Sequence, residues 1–253
     1  AALQRAMGMQ LLDCFPPSNE QGIDLGCGTG FLTRQLLLRC PETKWFALDL
    51  ALPMLEISRE RLKTSQNVSY LCADAEALPL ASESVGQIFS NLALQWCQNL
   101  PVLFRDCRRV LSSEGQLVFS TFGPDTLKEL KMAWSQVDDY VHVNEFNSVQ
   151  VLADALVHSG FKDVSFETIM HKSIYPSVMD LMRELKGLGA HNINSARKSG
   201  STTPKQLQAM IAAYHEAMTD DKLMATYEAF TVRARCMLKL GLVPEQILMS
   251  VKL

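Results

Sequence analysis

The sequence has no CxxC pair. Its seven cysteines, at positions 14, 27, 40, 72, 97, 107 and 236, follow no regular pattern. Without metal-ligand spacing they argue against a zinc site, and an odd, irregular set argues against a disulfide framework. Several sit in apolar or helical contexts, where cysteine behaves as a small buried hydrophobe. A reducing, cytoplasmic setting without a bound metal is therefore expected. No apolar run approaches the roughly 18 residues that cross a bilayer, so no membrane contact is expected. A strong charge of one sign is missing too: the formal charge of −3 argues against nucleic-acid binding through bulk electrostatics. Internal repeats and low-complexity tracts are absent from the sequence. What remains is 253 residues, 47% apolar and 20% charged, the composition of a globular α/β domain with an elaboration. Residue 1 already lies in a helical pattern (Ala1-Ala2-Leu3-Gln4-Arg5-Ala6-Met7), so upstream residues are expected, and no signal or transit peptide can be judged.

Strand and helix signals alternate through the first two thirds. Strands are expected at 21–25, 44–48, 68–72, 85–90 and 116–121, the last after a Ser112-Ser113-Glu114-Gly115 turn. Helices are expected at 31–39, 54–63 and 100–111, with Pro53 and Pro101 in first turns. Such alternation predicts right-handed βαβ crossovers and a doubly wound, mostly parallel sheet. Further on, helices are expected from Pro124 to about Asp139 and from Val149 to Ser159, and strands at 161–169 and 227–236. Residues 176–220 read as a helical insertion before the last strand, where a substrate cover would sit.

The richest stretch is Gly22-Ile23-Asp24-Leu25-Gly26-Cys27-Gly28-Thr29-Gly30, with Asp49 at the end of the next strand. An apolar run ends in an acid and then three alternating glycines, which lets backbone approach a ligand without side chains in the way. A dinucleotide pyrophosphate would want its third glycine further along. The GxGxG form suits a ligand without phosphates, whose amino-acid-like part meets backbone amides and carbonyls. Asp49 could accept both ribose hydroxyls, or it could cap the helix near Met54. Asp74 could accept from an exocyclic amine with Ala75 leaving room for a flat base, or it could simply start a turn.

Asp24 to Gly30 resembles motif I of the class I S-adenosylmethionine-dependent methyltransferases. Asp49 resembles their ribose-binding acid, Asp74-Ala75-Glu76 their adenine-contacting pair, and Ser90 to Trp96 the segment facing the methyl group. The resemblance implies S-adenosylmethionine as cofactor, a seven-stranded Rossmann-like sheet, and contacts from Asp24, Gly26, Cys27, Gly28, Gly30, Asp49, Leu50, Met54, Asp74, Ala75, Asn91 and Leu92.

Three further segments, Asn91 to Cys97, Phe119 to Leu127 and Leu185-Lys186-Gly187-Leu188-Gly189-Ala190, together resemble the malonyl-acyl-carrier-protein O-methyltransferases of biotin synthesis. The similarity runs from Leu3 to about Arg235; residues 237–253 depart from the pattern. It implies methyl transfer to the free carboxylate of a malonyl thioester, carried by acyl carrier protein or by CoA, in a monomeric enzyme. A carboxylate is already nucleophilic at neutral pH, so no catalytic base is required. The site needs a cation to hold that carboxylate, and Lys186, Arg197 and Arg183 are candidates, with His142 and Asn192 as hydrogen-bond partners. Phe122, Phe146 and Trp96 are candidate apolar walls. Lys172, Arg183 and Lys198 are candidates for docking an acidic carrier, whereas Arg105, Arg108 and Arg109 read as a solvated helix face. Three other functions fit the same motifs: a SAM-binding protein-arginine hydroxylase acting on a respiratory complex, a generic small-molecule carboxyl or quinone-precursor methyltransferase, and a noncatalytic SAM-binding protein.

Overall fold

The computed structural model describes residues 2–15, 18–187, 202–218 and 223–236. In chain order the elements are α1 (Ala2–Asp13), β1 (Gly22–Leu25), α2 (Phe31–Arg39), β2 (Trp45–Asp49), α3 (Leu52–Arg61), β3 (Val68–Cys72) and β4 (Val85–Asn91). After a short 3-10 turn come α4 (Leu100–Val110), β5 (Leu111–Phe122), α5 (Lys128–Ser135), α6 (Val149–His158) and β6 (Phe161–Tyr175). The last three are α7 (Val178–Gly187), α8 (Pro204–Glu216) and β7 (Leu223–Cys236).

The seven strands form one sheet in the order β3-β2-β1-β4-β5-β7-β6. The pairs β2–β3, β1–β2, β1–β4 and β4–β5 are parallel, as the strand–helix alternation predicts. Successive strands step outward from β1 to β3, then the chain returns to place β4 on the other side of β1. That reversal leaves a crevice beyond the carboxyl ends of β1 and β4, the place where open α/β sheets bind ligands.

Two compact units divide the chain. The first takes the described residues of 1–121, 149–168 and 230–253, and the second those of 122–148 and 169–229. In the first, β4 is buried on both faces, so its Ile88 meets one helical layer and its Phe89 the other. Ile88 packs with Leu103 and Phe104 of α4 and Leu152 and Leu156 of α6. Phe89 packs with Leu11 and Leu12 of α1 and Leu36 of α2. Buried positions 100, 103, 104, 107 and 110 of α4 recur at helical spacing, and Asn99 caps its start by accepting from the Val102 amide at 3.1 Å. Both faces of the sheet are thus covered, which is the doubly wound arrangement.

Several boundaries differ from the sequence expectation. The Ser112–Gly115 turn does not separate a helix from a strand; β5 begins at Leu111, directly after α4. Leu111 pairs with Val85 and Gln116 with Gln87, so residues 112–115 bulge opposite Gly86 alone. Turn-forming residues are accommodated inside the strand as an irregularity. The helix expected from Pro124 to Asp139 is confined to α5, because the Gly123 amide bonds to the Glu228 carbonyl and Leu127 takes a φ of 57°. Strands β6 and β7 both run longer than their alternation suggested, since sheet pairing tolerates residues that local pattern reads as loop.

Candidate active site

The glycine turn is built by backbone geometry. Gly26, with φ 75°, sits against Ala93: a Cβ there would lie 2.2 Å from the alanine's own Cβ. Gly28 also adopts a positive φ, 53°, yet a Cβ on it would meet no atom within 4 Å. Gly26 is therefore required by packing, whereas Gly28 keeps open the space above the turn. The amides of Gly26 and Cys27 donate to the Leu48 carbonyl at 2.8 and 3.0 Å, tying the turn to the end of β2. Gly30 precedes α2 and offers no side-chain cap, so the first amides of that helix are not taken up by a capping side chain.

Asp49 closes the same space from β2. Its Oδ2 accepts from the Gly28 amide and its Oδ1 from the Ala51 amide, each at 2.8 Å. It does not cap α3, whose N-cap is Ala51. A carboxylate offers about four acceptor sites, so two backbone bonds leave capacity for a ligand's hydroxyls. Leu50 and Met54, 71% and 42% exposed, place apolar surface beside that carboxylate. After β3, Asp74 is exposed; its Oδ1 accepts from the Glu76 amide at 2.9 Å, so it does start a turn. Ala75 is half-buried beside it. Glu76 Oε1 accepts from the amides of Gln98 and Asn99 at 2.6 and 2.9 Å, holding the segment before α4 in place.

Asn91 ends β4 and is occupied structurally. Its Nδ2 donates to the Gln4 carbonyl at 3.1 Å and its Oδ1 accepts from Ser120 Oγ at 2.8 Å. Ser120 Oγ in turn accepts from the Leu92 amide at 3.1 Å, where Leu92 is buried with φ 51°. Asp24, at the end of β1, is 2% exposed and accepts from Thr33 Oγ1 at 2.6 Å. Burial raises its pKa from 3.8 to about 7, against the Thr33 bond, and the nearby Asp49 charge pushes the same way. Burial likewise pushes the Cys27 thiol up, so it is no nucleophile. Carboxylates, free amides and apolar surface thus converge at the carboxyl ends of four adjacent parallel strands. That arrangement suits a flat ligand with hydroxyls and a polar tail.

The methyltransferase-domain family model matches residues 23–119, from β1 into β5. The chain is 40% identical over 222 residues to the malonyl-acyl-carrier-protein O-methyltransferase of Nitrosospira multiformis, covering 81% of this chain and 72% of that protein. The chain belongs to the malonyl-acyl-carrier-protein O-methyltransferase family. It is also 43% identical over 232 residues to the biotin biosynthesis bifunctional protein BioHC of Cellvibrio japonicus, covering 91% of this chain but 45% of that protein. The chain therefore spans less than half of that bifunctional relative. Among solved structures, the YcgJ protein of a Bacillus superposes with a TM-score of 0.67 at 13% identity, over 92% of this chain and 98% of that one, a likeness of fold alone.

In this family member, the described residues expected to hold the acceptor, His142, Arg183 and Lys186, lie in the second compact unit. His142 stacks on Trp134 with centroids 3.8 Å apart and planes 8° from parallel. Its Nε2 is 2.6 Å from Asp138 Oδ1, and Asp138 Oδ2 accepts from Gln206 Nε2 at 3.0 Å. His142, Trp134 and Asp138 line an open cleft of about 600 Å³ with Lys131 and Phe146. The Phe122 ring centroid lies 5.6 Å from that of Phe146 and 5.8 Å from that of Tyr227, so two of the three expected aromatic walls meet. Tyr227 and Tyr175 share a hydrogen bond between hydroxyls at 3.0 Å. Trp96 is 36% exposed after β4.

Lys186 is exposed in the last turn of α7. Arg183, one turn earlier, is exposed and paired to Asp180 at 2.5 Å, and Lys172 is exposed on β6. Arg197, Asn192, Lys198 and the Leu188–Ala190 part of the family segment lie outside the described residues. The arginines of α4 are not simply a solvated face. Arg109 donates to the carbonyls of Leu80 and Leu78 at 2.7 and 2.8 Å and pairs with Asp106. Three groups with a part in the geometry were missed: Thr33, Ser120 and Lys131. Lys131 Nζ donates to the Pro124 carbonyl at 2.7 Å, and partial burial lowers its pKa. The one sequence signal was a small hydroxyl inside an apolar run, as for Ser120.

Proposed function

We propose that the chain transfers a methyl group from S-adenosylmethionine to the free carboxylate of a malonyl thioester, forming the methyl ester that starts pimeloyl and biotin synthesis. The 40% identity with a malonyl-acyl-carrier-protein O-methyltransferase over most of both chains carries this reading. The donor site fits the cofactor: the space over Gly28 is open, and Asp49 retains acceptor capacity. S-adenosylmethionine supplies an electrophilic methyl on a sulfonium.

The chain's own residues bind, orient and exclude water. Asp49 grips the ribose hydroxyls, Leu50, Met54 and Ala75 flank the base, and Asp74 accepts from its exocyclic amine. The turn from Gly26 to Gly30 meets the amino-acid end. Asp24, Cys27, Asn91 and Leu92 shape the floor beneath. No general base is needed, because the acceptor carboxylate is ionised at neutral pH. Acceleration comes from alignment and from removing water around two charges that cancel during transfer. Lys186, Arg197 and His142 hold the acceptor, with the segment 176–220, whose described part contains α7 and α8, as its cover.

Acyl carrier protein or CoA carries the malonyl group. The enzyme works as a monomer in the cytoplasm. The test is incubation with methyl-labelled S-adenosylmethionine and malonyl-carrier protein, malonyl-CoA or free malonate. Base-labile label on a thioester supports the proposal. Bound cofactor with no ester on any of the three overturns it, in favour of a hydroxylase or a noncatalytic protein.

A further inference from the structure

Asp24 is a buried acid with an unusual set of neighbours. From α2 it receives the Thr33 hydroxyl at 2.6 Å. From β2 the neighbouring charge is Asp49, also an acid, and from the turn the nearest titratable group is the Cys27 thiol. On β4 the Ser90 hydroxyl is turned to the Leu25 carbonyl at 2.7 Å. On α1, Arg5 lies over the Phe31 ring, 4.9 Å from its centroid. A carboxylate removed from water, with one hydroxyl donor and a second negative charge beside it, favours its neutral form.

The open space above Gly28 of the turn is bounded by Asp49, whose Oδ2 accepts from the Gly28 amide at 2.8 Å and whose charge acts on Asp24. S-adenosylmethionine brings two cationic groups to that turn, an ammonium and a sulfonium. An opposite charge close to a carboxyl favours ionisation by 1–3 pH units. We propose that Asp24 holds a proton while the glycine turn is free and releases it to solvent when the cationic cofactor binds. The proton leaves as Asp24 passes from carboxylic acid to carboxylate, so the cofactor meets a counter-charge that the free protein does not carry. This rests on S-adenosylmethionine being the cofactor. It makes cofactor affinity rise with pH in a window where the ligand itself does not titrate, since an α-amino group ordinarily titrates near 7.7–8.0.

Isothermal titration calorimetry of the full chain at pH 6, in two buffers of different ionisation enthalpy, tests the proposal. With Asp24 titrating at about 7 in the free protein and 1–3 units lower with the cation beside it, about 0.4–0.9 proton should leave per cofactor bound at pH 6. The dissociation constant should fall about three- to fivefold from pH 6 to pH 7. Methylthioadenosine, which keeps adenosine but carries neither cation, should bind without proton release. Asp24→Asn should remove the release, and Thr33→Val, which loses the bond favouring the carboxylate, should move the release profile to higher pH. Binding with the same heat in both buffers, equal release with methylthioadenosine, an unmoved Thr33→Val profile, or release retained in Asp24→Asn would each overturn it. Absence of any S-adenosylmethionine binding would instead overturn the cofactor assignment, and the proposal with it.

Discussion

The Gly28 amide donates to Asp49 Oδ2 at 2.8 Å, joining the turn after β1 to the acid at the end of β2. One bond thereby fixes both the open backbone turn and the carboxylate proposed to grip the ligand. Asp49→Ala should weaken S-adenosylmethionine binding by on the order of 30- to 1000-fold, the scale of losing charge-assisted bonds and the turn's anchor together. Asp49→Asn, which can still accept from the amide, should lose less. Dissociation constants from calorimetry check this, and equal binding by wild type and Asp49→Ala would remove Asp49 from the site.

Two glycines two residues apart should respond differently to alanine. At Gly28 the positive φ costs an L-residue about 1–2 kcal/mol, and no atom lies within 4 Å of the new Cβ. Folding should survive while cofactor affinity falls, because the methyl occupies the ligand's approach. At Gly26 the new Cβ meets Ala93 at 2.2 Å, so the melting temperature should fall well beyond that of Gly28→Ala. Thermal denaturation paired with cofactor titration separates the two effects. A stable Gly26→Ala would show that the turn yields more readily than its packing implies.

Asp24 should also shape stability against pH. Its folded pKa is raised from 3.8 to about 7, so between these values the folded state holds more protons than the unfolded state. The stabilisation is complete below about 4 and is lost as pH rises through about 7. Against Asp24→Asn, the wild type should lose on the order of 2–4 kcal/mol between pH 4 and pH 8. Urea denaturation of both proteins across that range measures the difference. A difference that stays constant, or that grows in the wild type's favour, contradicts the assignment.

For the acceptor, Lys186→Ala and Arg197→Ala should raise the KM for the malonyl thioester by about 10- to 100-fold, the scale of a lost charged hydrogen bond. Cofactor affinity should be unchanged in both. Steady-state kinetics with each substrate varied in turn checks this, and unaltered kinetics would remove the two residues from the acceptor site.

The donor half was legible because its chemistry is local. Three alternating glycines after an apolar strand, an acid ending the next strand, and strand–helix alternation each occupy a few consecutive residues. Partners far apart in sequence were not legible. Nothing near Asn91 announces that its amide joins the Gln4 carbonyl to Ser120, or that Ser112–Gly115 bulges within β5 rather than ending it. The arginines of α4 look like surface charge until Leu78 and Leu80 are seen to supply their carbonyls to Arg109. His142 was singled out for a ligand, and its neighbours prove to be Trp134 and Asp138, met through folding of the loop after α5.

The glycine turn speaks for the donor; the acceptor is the claim most worth testing. Intact-protein mass spectrometry of malonyl-carrier protein after incubation with this chain and S-adenosylmethionine does so directly. The account predicts a gain of one CH2 on the malonyl group, reversed by mild base as an ester requires. An unchanged mass in the presence of bound S-adenosylmethionine, or a base-stable gain, would contradict it.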